Sequence, residues 1–374
     1  MRDFSDFSGF IKGMDVSSIK ELEACGAKFY DGGKQGDLFA ILKSYGVNAI
    51  RLRVWNDPYS ETGEPYGAGC NDEGVYVELA KRAKEQGMGV LLDLHYSDFW
   101  TDPGKQFLPK AWRGFSDDQL EKAVYDYTLV LLGKIKAEGA YPSMVQVGNE
   151  LTNGFLWPNA SKGKYPQITR FVNAGIDAVR KADPELPIMV HLDAGGKNDV
   201  CVSWFDNYFA CGGKDFDYLG LSYYPFWQGG VPCLKQNMDD LAVRYGKKIV
   251  VVELGMGWTV EDYAEYEKLS PTERKGMAAT AERAKGVGYP MSKQGQCDFI
   301  RDVLESIRTV PKGLGAGFFY WEPAWIPVHG SGWALKAGLE YIHDPGPGGN
   351  EWANQALFDY DGNALPSLAV IRDF

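Results

Sequence analysis

Two carboxylates end apolar runs in this chain. In "MVQVGNELTNGFLWP" (144–158), Met144, Val145 and Val147 lead straight into Asn149 and Glu150. In "KKIVVVELGMGW" (247–258), four β-branched residues lead into Glu253. A carboxylate at the end of a buried strand is costly unless it is paired or used. Two facing carboxyls, one protonated and one ionised, are what glycosidic cleavage requires: the first donates to the leaving oxygen while the second attacks the anomeric carbon. That chemistry assigns Glu150 as acid/base and Glu253 as nucleophile. A nearby arginine would keep Glu253 charged, and an apolar or anionic setting would raise the pKa of Glu150. From spacing alone, two structural glutamates capping strands explain the pattern equally well.

The elements that must position these residues recur along the whole chain. Eight short apolar runs end in polar or aromatic residues: 9–18, 49–55, 89–97, 144–150, 187–193, 217–225, 247–255 and 316–325. Helical patterns lie between them. "GVYVELAKRAKEQG" places Val75, Leu79, Ala83 and Gln86 near one face and stops at Gly87, and "DDQLEKAVYDYTLVLLGKIKAEG" (117–139) is the longest. Strands alternating with helices imply parallel βα units, and eight of them imply an α/β fold, a (β/α)8 TIM barrel. No internal repeat or linker marks a second domain, so residues 1–374 read as one catalytic barrel domain. Long connections follow strand seven (258–293) and strand eight (326–365), where barrel enzymes keep their sites. Glu150 and Glu253, on strands four and seven, then face each other across the barrel mouth. Strand parity puts Arg51, Arg53 and Trp55 on one side, Asp93 with His95 on one side, and His191 with Asp193 on one side. Polar groups thus point inward near the top of the barrel, where arginines opposite carboxylates would supply the pairing that buried charge needs.

Composition narrows the partners. The net charge of −11 argues against nucleic acid and anionic membrane surfaces. It fits a neutral substrate, and the 11 Trp, 21 Tyr and 19 Phe suit carbohydrate, whose C–H faces lie flat on aromatic rings. No run approaches the length of a membrane span. No signal peptide is visible at the start, so a cytoplasmic protein is expected, the alternative being a secreted one whose leader was removed. The six cysteines form no CxxC pair; Cys201 and Cys211 fall on one helix about 15 Å apart, too far for a bridge.

The motifs "GMDVSS", "IRLRVWNDP", "LLDLHYSDFWTDPGKQ", "PKAW", "QVGNELTNGFLWP", "LSYYPFW", "FYWEPAWIP", "GSGWA" and "NQALFDYDGNALPSL" resemble the endo-β-1,4-galactanases of glycoside hydrolase family 53, from about residue 10 to residue 371. The resemblance implies retaining hydrolysis of the β-1,4-galactan side chains of pectic arabinogalactan. Separately, no cofactor is expected, and the chain is read as a monomer. The resemblance also implies Glu150 as acid/base, Glu253 as nucleophile and Asn149 as the partner of the sugar 2-OH. It further implies a strand-two arginine beside the nucleophile, for which Arg53 is preferred over Arg51 as nearer the strand end. Tyr223 matches a tyrosine whose hydroxyl approaches the nucleophile, and Trp321 one that floors the cleaved sugar. Asp93, His95, Asp98, Trp100, Trp157, His191 and Asp193 fit positions that line the cleft. Two departures stand out. Many relatives read "ET" and an aromatic after the nucleophile, whereas here Leu254, Gly255 and Met256 follow Glu253. Some bacterial relatives hold calcium in the loop after strand seven, and this loop lacks their Asp/Asn/Gly-rich pattern, so no metal is expected.

Several blander readings compete. Arg51 reads as a structural ion-pair partner, Glu322 as a structural acid pointing away from its neighbour Trp321, Trp157, Trp325 and Trp333 as loop packing, and the acidic segment 261–267 as a solvated face. A metal-dependent barrel hydrolase would draw on "DLH", His191 and His329, but the chain has four histidines and neither an HxH pair nor HExxH; a chelator would separate it from a glycosidase. A non-catalytic sugar-binding barrel would keep both glutamates without turnover. Among glycosidases, a β-mannanase is the alternative, and the axial 4-OH of galactose is what separates the two substrates.

Overall fold

The computed structural model describes residue 7, residues 9–268 and residues 274–374. The expectation about a leader and part of the calcium reading of the strand-seven loop therefore concern residues outside the described ones. Among the described residues no helix is long and apolar enough to cross a membrane.

Eight parallel strands close into a barrel: β1 Ile11–Asp15, β2 Ala49–Val54, β3 Gly89–Leu94, β4 Met144–Val147, β5 Ile188–Leu192, β6 Tyr218–Tyr223, β7 Lys248–Leu254 and β8 Gly315–Trp321. Each pairs with its neighbours in the chain, and β8 closes on β1, with Gly13 opposite Phe319 and Asp15 opposite Trp321. Seven fall within the apolar runs read from the sequence and β8 starts one residue before its run, because strands buried on both faces need apolar residues at nearly every position. Helices cover the outside: α1 Leu38–Ser44, α2 Glu73–Glu85, α3 Asp117–Ala137, α4 Tyr165–Ala182, α5 Asn198–Ala210, α6 Val231–Tyr245, α7 Lys293–Arg308 and α8 Pro366–Asp373. Four of them, α1, α2, α3 and α7, start at a side chain that accepts an orphan backbone donor: Asp37, Asp72, Ser116 and Ser292. Asp72 accepts from Val75 N at 2.8 Å, and Ser116 with Gln119 forms a reciprocal capping box on α3. Gly87 and Gly139, just past α2 and α3, have φ of 66° and 74°, which explains the glycines there.

The barrel interior has two chemistries. Its lower part is apolar, filled by Ile11, Ala49, Leu91, Met144, Met189, Tyr218, Val250, Val252 and Phe319, at least one from every strand. Space is tight: a Cβ on Gly13 would sit 2.2 Å from the Phe319 ring, and one on Gly220 2.7 Å from Met189 Sδ. Above this floor the next inward positions are polar: Asp15, Arg51, Asp93, Gln146, His191 and Ser222, all buried. The strands are thus anchored by apolar packing on the outside and below, and they carry charge only where they approach the C-terminal mouth.

The two long connections leave that mouth and are tied to each other. Asn354 Nδ2 donates to Thr259 O and Ala279 O, and Trp258 N donates to Asn354 O. In segment 261–267, Glu261, Asp262 and Glu265 face solvent, and the side chain of Glu267 lies outside the described ones. The six cysteines are free thiols.

Candidate active site

The two glutamates reach the mouth by different backbone devices. On β4 the chain alternates normally through Gln146, then turns at Gly148 (φ 79°) and places Glu150 in the left-handed region, φ 52° and ψ 56°. A Cβ-bearing residue is strained there, and such strain persists where the surroundings over-determine it. On β7 Val250 and Val252 both face the barrel floor, so alternation would turn Glu253 outward. The ladder instead slips, Leu221 pairing with Val251 and Ser222 with Glu253. This bulge turns Glu253 inward, a common use of bulges beside functional sites.

Glu150, His191 and Glu253 each offer an atom within 4.8 Å of the others. The surroundings of the two carboxyls differ. Glu253 Oε1 accepts from Arg51 Nη1 at 2.9 Å, and its Oε2 accepts from the Tyr224 hydroxyl at 3.0 Å. Among the described residues Glu150 meets no such cation: its Oε1 accepts from Ser222 Oγ at 2.6 Å. Burial raises the pKa of both. For Glu253 Arg51 opposes that rise while Asp15 and Asp93 add to it; for Glu150 the neighbouring Glu253 and Asp193 add to it and Ser222 alone opposes. The proton of the pair therefore resides on Glu150 and the charge on Glu253.

Arg51 holds this arrangement with all its donors. Nη1 also meets Asp15 at 2.9 Å, Nη2 meets Asp93 at 2.8 Å and Asn149 Oδ1 at 2.9 Å, and Nε meets Gln146 Oε1 at 3.2 Å. Arg53 lies one turn of the pleat higher and pairs with Glu322 at 2.5 Å while stacking 4.4 Å from the Trp100 ring centroid. The arginine paired with Glu253 is thus Arg51, not Arg53. The guanidinium reaches across the barrel, so distance to the strand end does not decide which one arrives. Glu322 does not point away: it follows β8 with φ 45° and turns in to Arg53 and Ser18.

The cavity above the carboxyls has a volume of about 410 Å³. Arg53, His95, Trp100, Asn149, Asp193 and Trp321 line it with the two glutamates, as the sequence suggested. Asn149 keeps its Oδ1 on Arg51 and donates through Nδ2 to Thr101 O at 2.9 Å, which leaves one amide hydrogen for a ligand. The ring of Trp321 packs at 4.7 Å from Trp352, 5.7 Å from Trp325 and 6.0 Å from Trp100, forming an aromatic trough.

Five residues expected at the cleft sit elsewhere. Asp93 lies beneath it, fully buried between Arg51 and His95. His191 also lies beneath, bonded to Ser222 and facing Asn149. Asp98 is a loop clip, accepting from Asp57 N, Lys110 N and the Tyr341 hydroxyl. Trp157 lines a separate hollow with Phe107 and Pro158, its Nε1 tied to Asn153 O. Tyr223 faces outward, its hydroxyl on Gly229 O at 2.8 Å and its ring stacked at 6.0 Å from Phe299. The tyrosine whose hydroxyl reaches Glu253 is Tyr224. Inward alternation along β6, through Tyr218, Gly220 and Ser222, points to Tyr224 and is a signal the sequence carried. Trp227, Lys275, Glu351 and Trp352 also line the cavity without having been singled out, and Trp325 and Trp333 line it rather than only packing loops. They come from loops whose approach no strand periodicity encodes.

Glu150, His191 and Glu253 are the one His/Cys/Asp/Glu group among the described residues close enough to hold a metal, and it includes neither His329 nor His95. The donors fit a cation poorly. Both His191 nitrogens are engaged within the protein, and Glu253 already meets a guanidinium, whose charge a metal ion would oppose.

A family model described as glycosyl hydrolase family 53 matches residues 11–371. An endo-β-1,4-galactanase of Bacillus subtilis is 39% identical over 97% of this chain and 85% of its own length. The structure of an Ignisphaera aggregans GH53 catalytic domain superposes with a TM-score of 0.88 at 40% identity, covering 99% of this chain and 98% of that one. A structure of fungal β-1,4-galactanases superposes with a TM-score of 0.77 at 30% identity, covering 97% of this chain and 98% of that one.

Proposed function

Because the chain belongs to glycosyl hydrolase family 53, we propose that it is an endo-acting, retaining hydrolase of β-1,4-galactan, working by double displacement through Glu150 and Glu253. The carrying observation is the asymmetry of the pair: one carboxyl held by a guanidinium and a phenol, the other without a cation and among anions. Their approach to within 4.8 Å also favours the retaining arrangement, in which the carboxyls stand about 5–5.5 Å apart, over the wider inverting one.

In the first step the C–O bond to the leaving sugar breaks and its electron pair goes to the glycosidic oxygen, which takes the proton of Glu150. Glu253 attacks the anomeric carbon from the other face and forms a glycosyl ester. In the second step Glu150, now a carboxylate, removes a proton from water as the water oxygen attacks the same carbon and Glu253 departs. Asn149, oriented by Arg51, offers its free amide hydrogen to the sugar 2-OH, and Trp321 lies under the sugar ring. Trp100, His95 and Asp193 line the rest of the cleft. No cofactor enters this scheme.

The test is reducing-sugar release from linear β-1,4-galactan, with mannan and cellulose as controls, by wild type, Glu150→Gln and Glu253→Gln. Turnover of galactan alone, with anomeric configuration retained in the first product by NMR, and its loss by at least about a hundredfold in both variants, is the expected result. Turnover of mannan instead would keep the mechanism and discard the substrate. Undiminished activity in either variant would discard the mechanism.

A further inference from the structure

Beneath Glu150 runs a buried chain of hydrogen bonds that the double displacement does not by itself require. Ser222, on β6, places Oγ 2.6 Å from Glu150 Oε1 and 2.9 Å from His191 Nε2, and Ser222 and His191 are fully buried. At its lower end His191 Nδ1 meets Asn149 Oδ1 at 2.9 Å and the backbone N–H of Glu150 over 3.4 Å, so the ring is held at both nitrogens. Burial first, then Arg51 and His95, keep His191 neutral. Ser222 Oγ, held by the ring, donates in turn to Glu150 Oε1. The other groups facing Glu150 are Glu253, Asp193 and Asp102, carboxyls that supply no competing cation.

We infer that Ser222 and His191 are positioning residues for proton transfer: the chain from His191 through Ser222 holds the Glu150 carboxyl by Oε1 and aims Oε2 at the leaving group. This rests on the reading of Glu150 as the acid/base. With Oε1 held, Oε2 serves the glycosidic oxygen in the first step and the attacking water in the second without rotation of the carboxyl. Without Ser222 the carboxyl turns, and part of the population presents the wrong oxygen to the substrate.

The test uses leaving-group dependence, which a general loss of structure would not alter. kcat/KM is measured for wild type, Ser222→Ala and His191→Asn on β-1,4-galactan, whose leaving sugar needs a proton, and on a dinitrophenyl β-galactobioside, whose phenolate leaves without one. The full general-acid contribution is about 10²–10⁴-fold, so a misdirected proton should lower the galactan-to-aryl ratio by about tenfold or more in Ser222→Ala, and in the same direction in His191→Asn. Equal losses on both substrates, or no loss, would overturn this positioning role while leaving the acid/base assignment intact. A wild type that cleaves the aryl substrate but not galactan would overturn the substrate reading and this inference with it.

Discussion

Removing one hydroxyl, that of Tyr224, should move the pH dependence of the reaction, and removing the hydroxyl next to it in sequence should not. The Tyr224 hydroxyl donates to Glu253 Oε2 at 3.0 Å in a buried setting. A hydrogen bond to a charged group is worth about 1.5–3 kcal/mol, and a pKa unit corresponds to about 1.4 kcal/mol, so Tyr224→Phe should raise the pKa of Glu253 by about one to two units. The sign follows from the donor: it stabilises the ionised form, so its loss favours the protonated one. Activity falls as pH drops through the pKa of the nucleophile, and in Tyr224→Phe that fall should begin at higher pH. Tyr223→Phe loses only a bond to Gly229 O on the outer side of β6. The assay is kcat/KM against pH on a dinitrophenyl galactoside, where no acid assists departure and the acidic limb reports Glu253 alone. An unmoved limb in Tyr224→Phe, or an equal movement in Tyr223→Phe, would refute the reasoning.

Two further outcomes test the account of the scaffold. Asp98→Ala would leave the backbone donors of Asp57 and Lys110 unpaired, so it should lower unfolding free energy by about 1–3 kcal/mol in urea titration while leaving the pH profile of kcat/KM in place; a changed profile would return Asp98 to the cleft. Gly13→Ala would drive a methyl to 2.2 Å from the Phe319 ring inside the barrel floor, and the same titration should show a loss of about 1–3 kcal/mol or more.

The strands were readable because eight parallel strands buried on both faces leave near-continuous apolar runs, and the helices because capping residues and terminal glycines bound them. The carboxyls were readable because each breaks such a run. What spacing did not decide was the reach of long side chains across a closed ring. Arg51 and Arg53 share one side of β2, and the lower one meets Glu253 because strands tilt around the barrel and a guanidinium spans its interior. The inward turn of Glu253 depends on a bulge that leaves no composition signal in "VVVEL". Tyr224 was within reach of simple alternation, whereas Trp227, Lys275, Glu351 and Trp352 arrive on loops that have no period to read.

The division of the barrel interior into an apolar floor and an ionic upper tier bears on how such an enzyme can change. A floor residue can be exchanged for another of similar volume, one position at a time, at modest cost. The upper tier offers no such single steps. Arg51 answers to Asp15, Asp93 and Glu253 together, and each of those has it as a partner, so replacing any one strands a buried charge at a cost of about 3–5 kcal/mol. Stepwise diversification is therefore steered to the rim, where Trp227, Lys275 and Trp352 line the cavity without sharing a charge with Glu150 or Glu253. Substrate preference can drift there through neutral intermediates, while the chemistry beneath stays locked by mutual obligation.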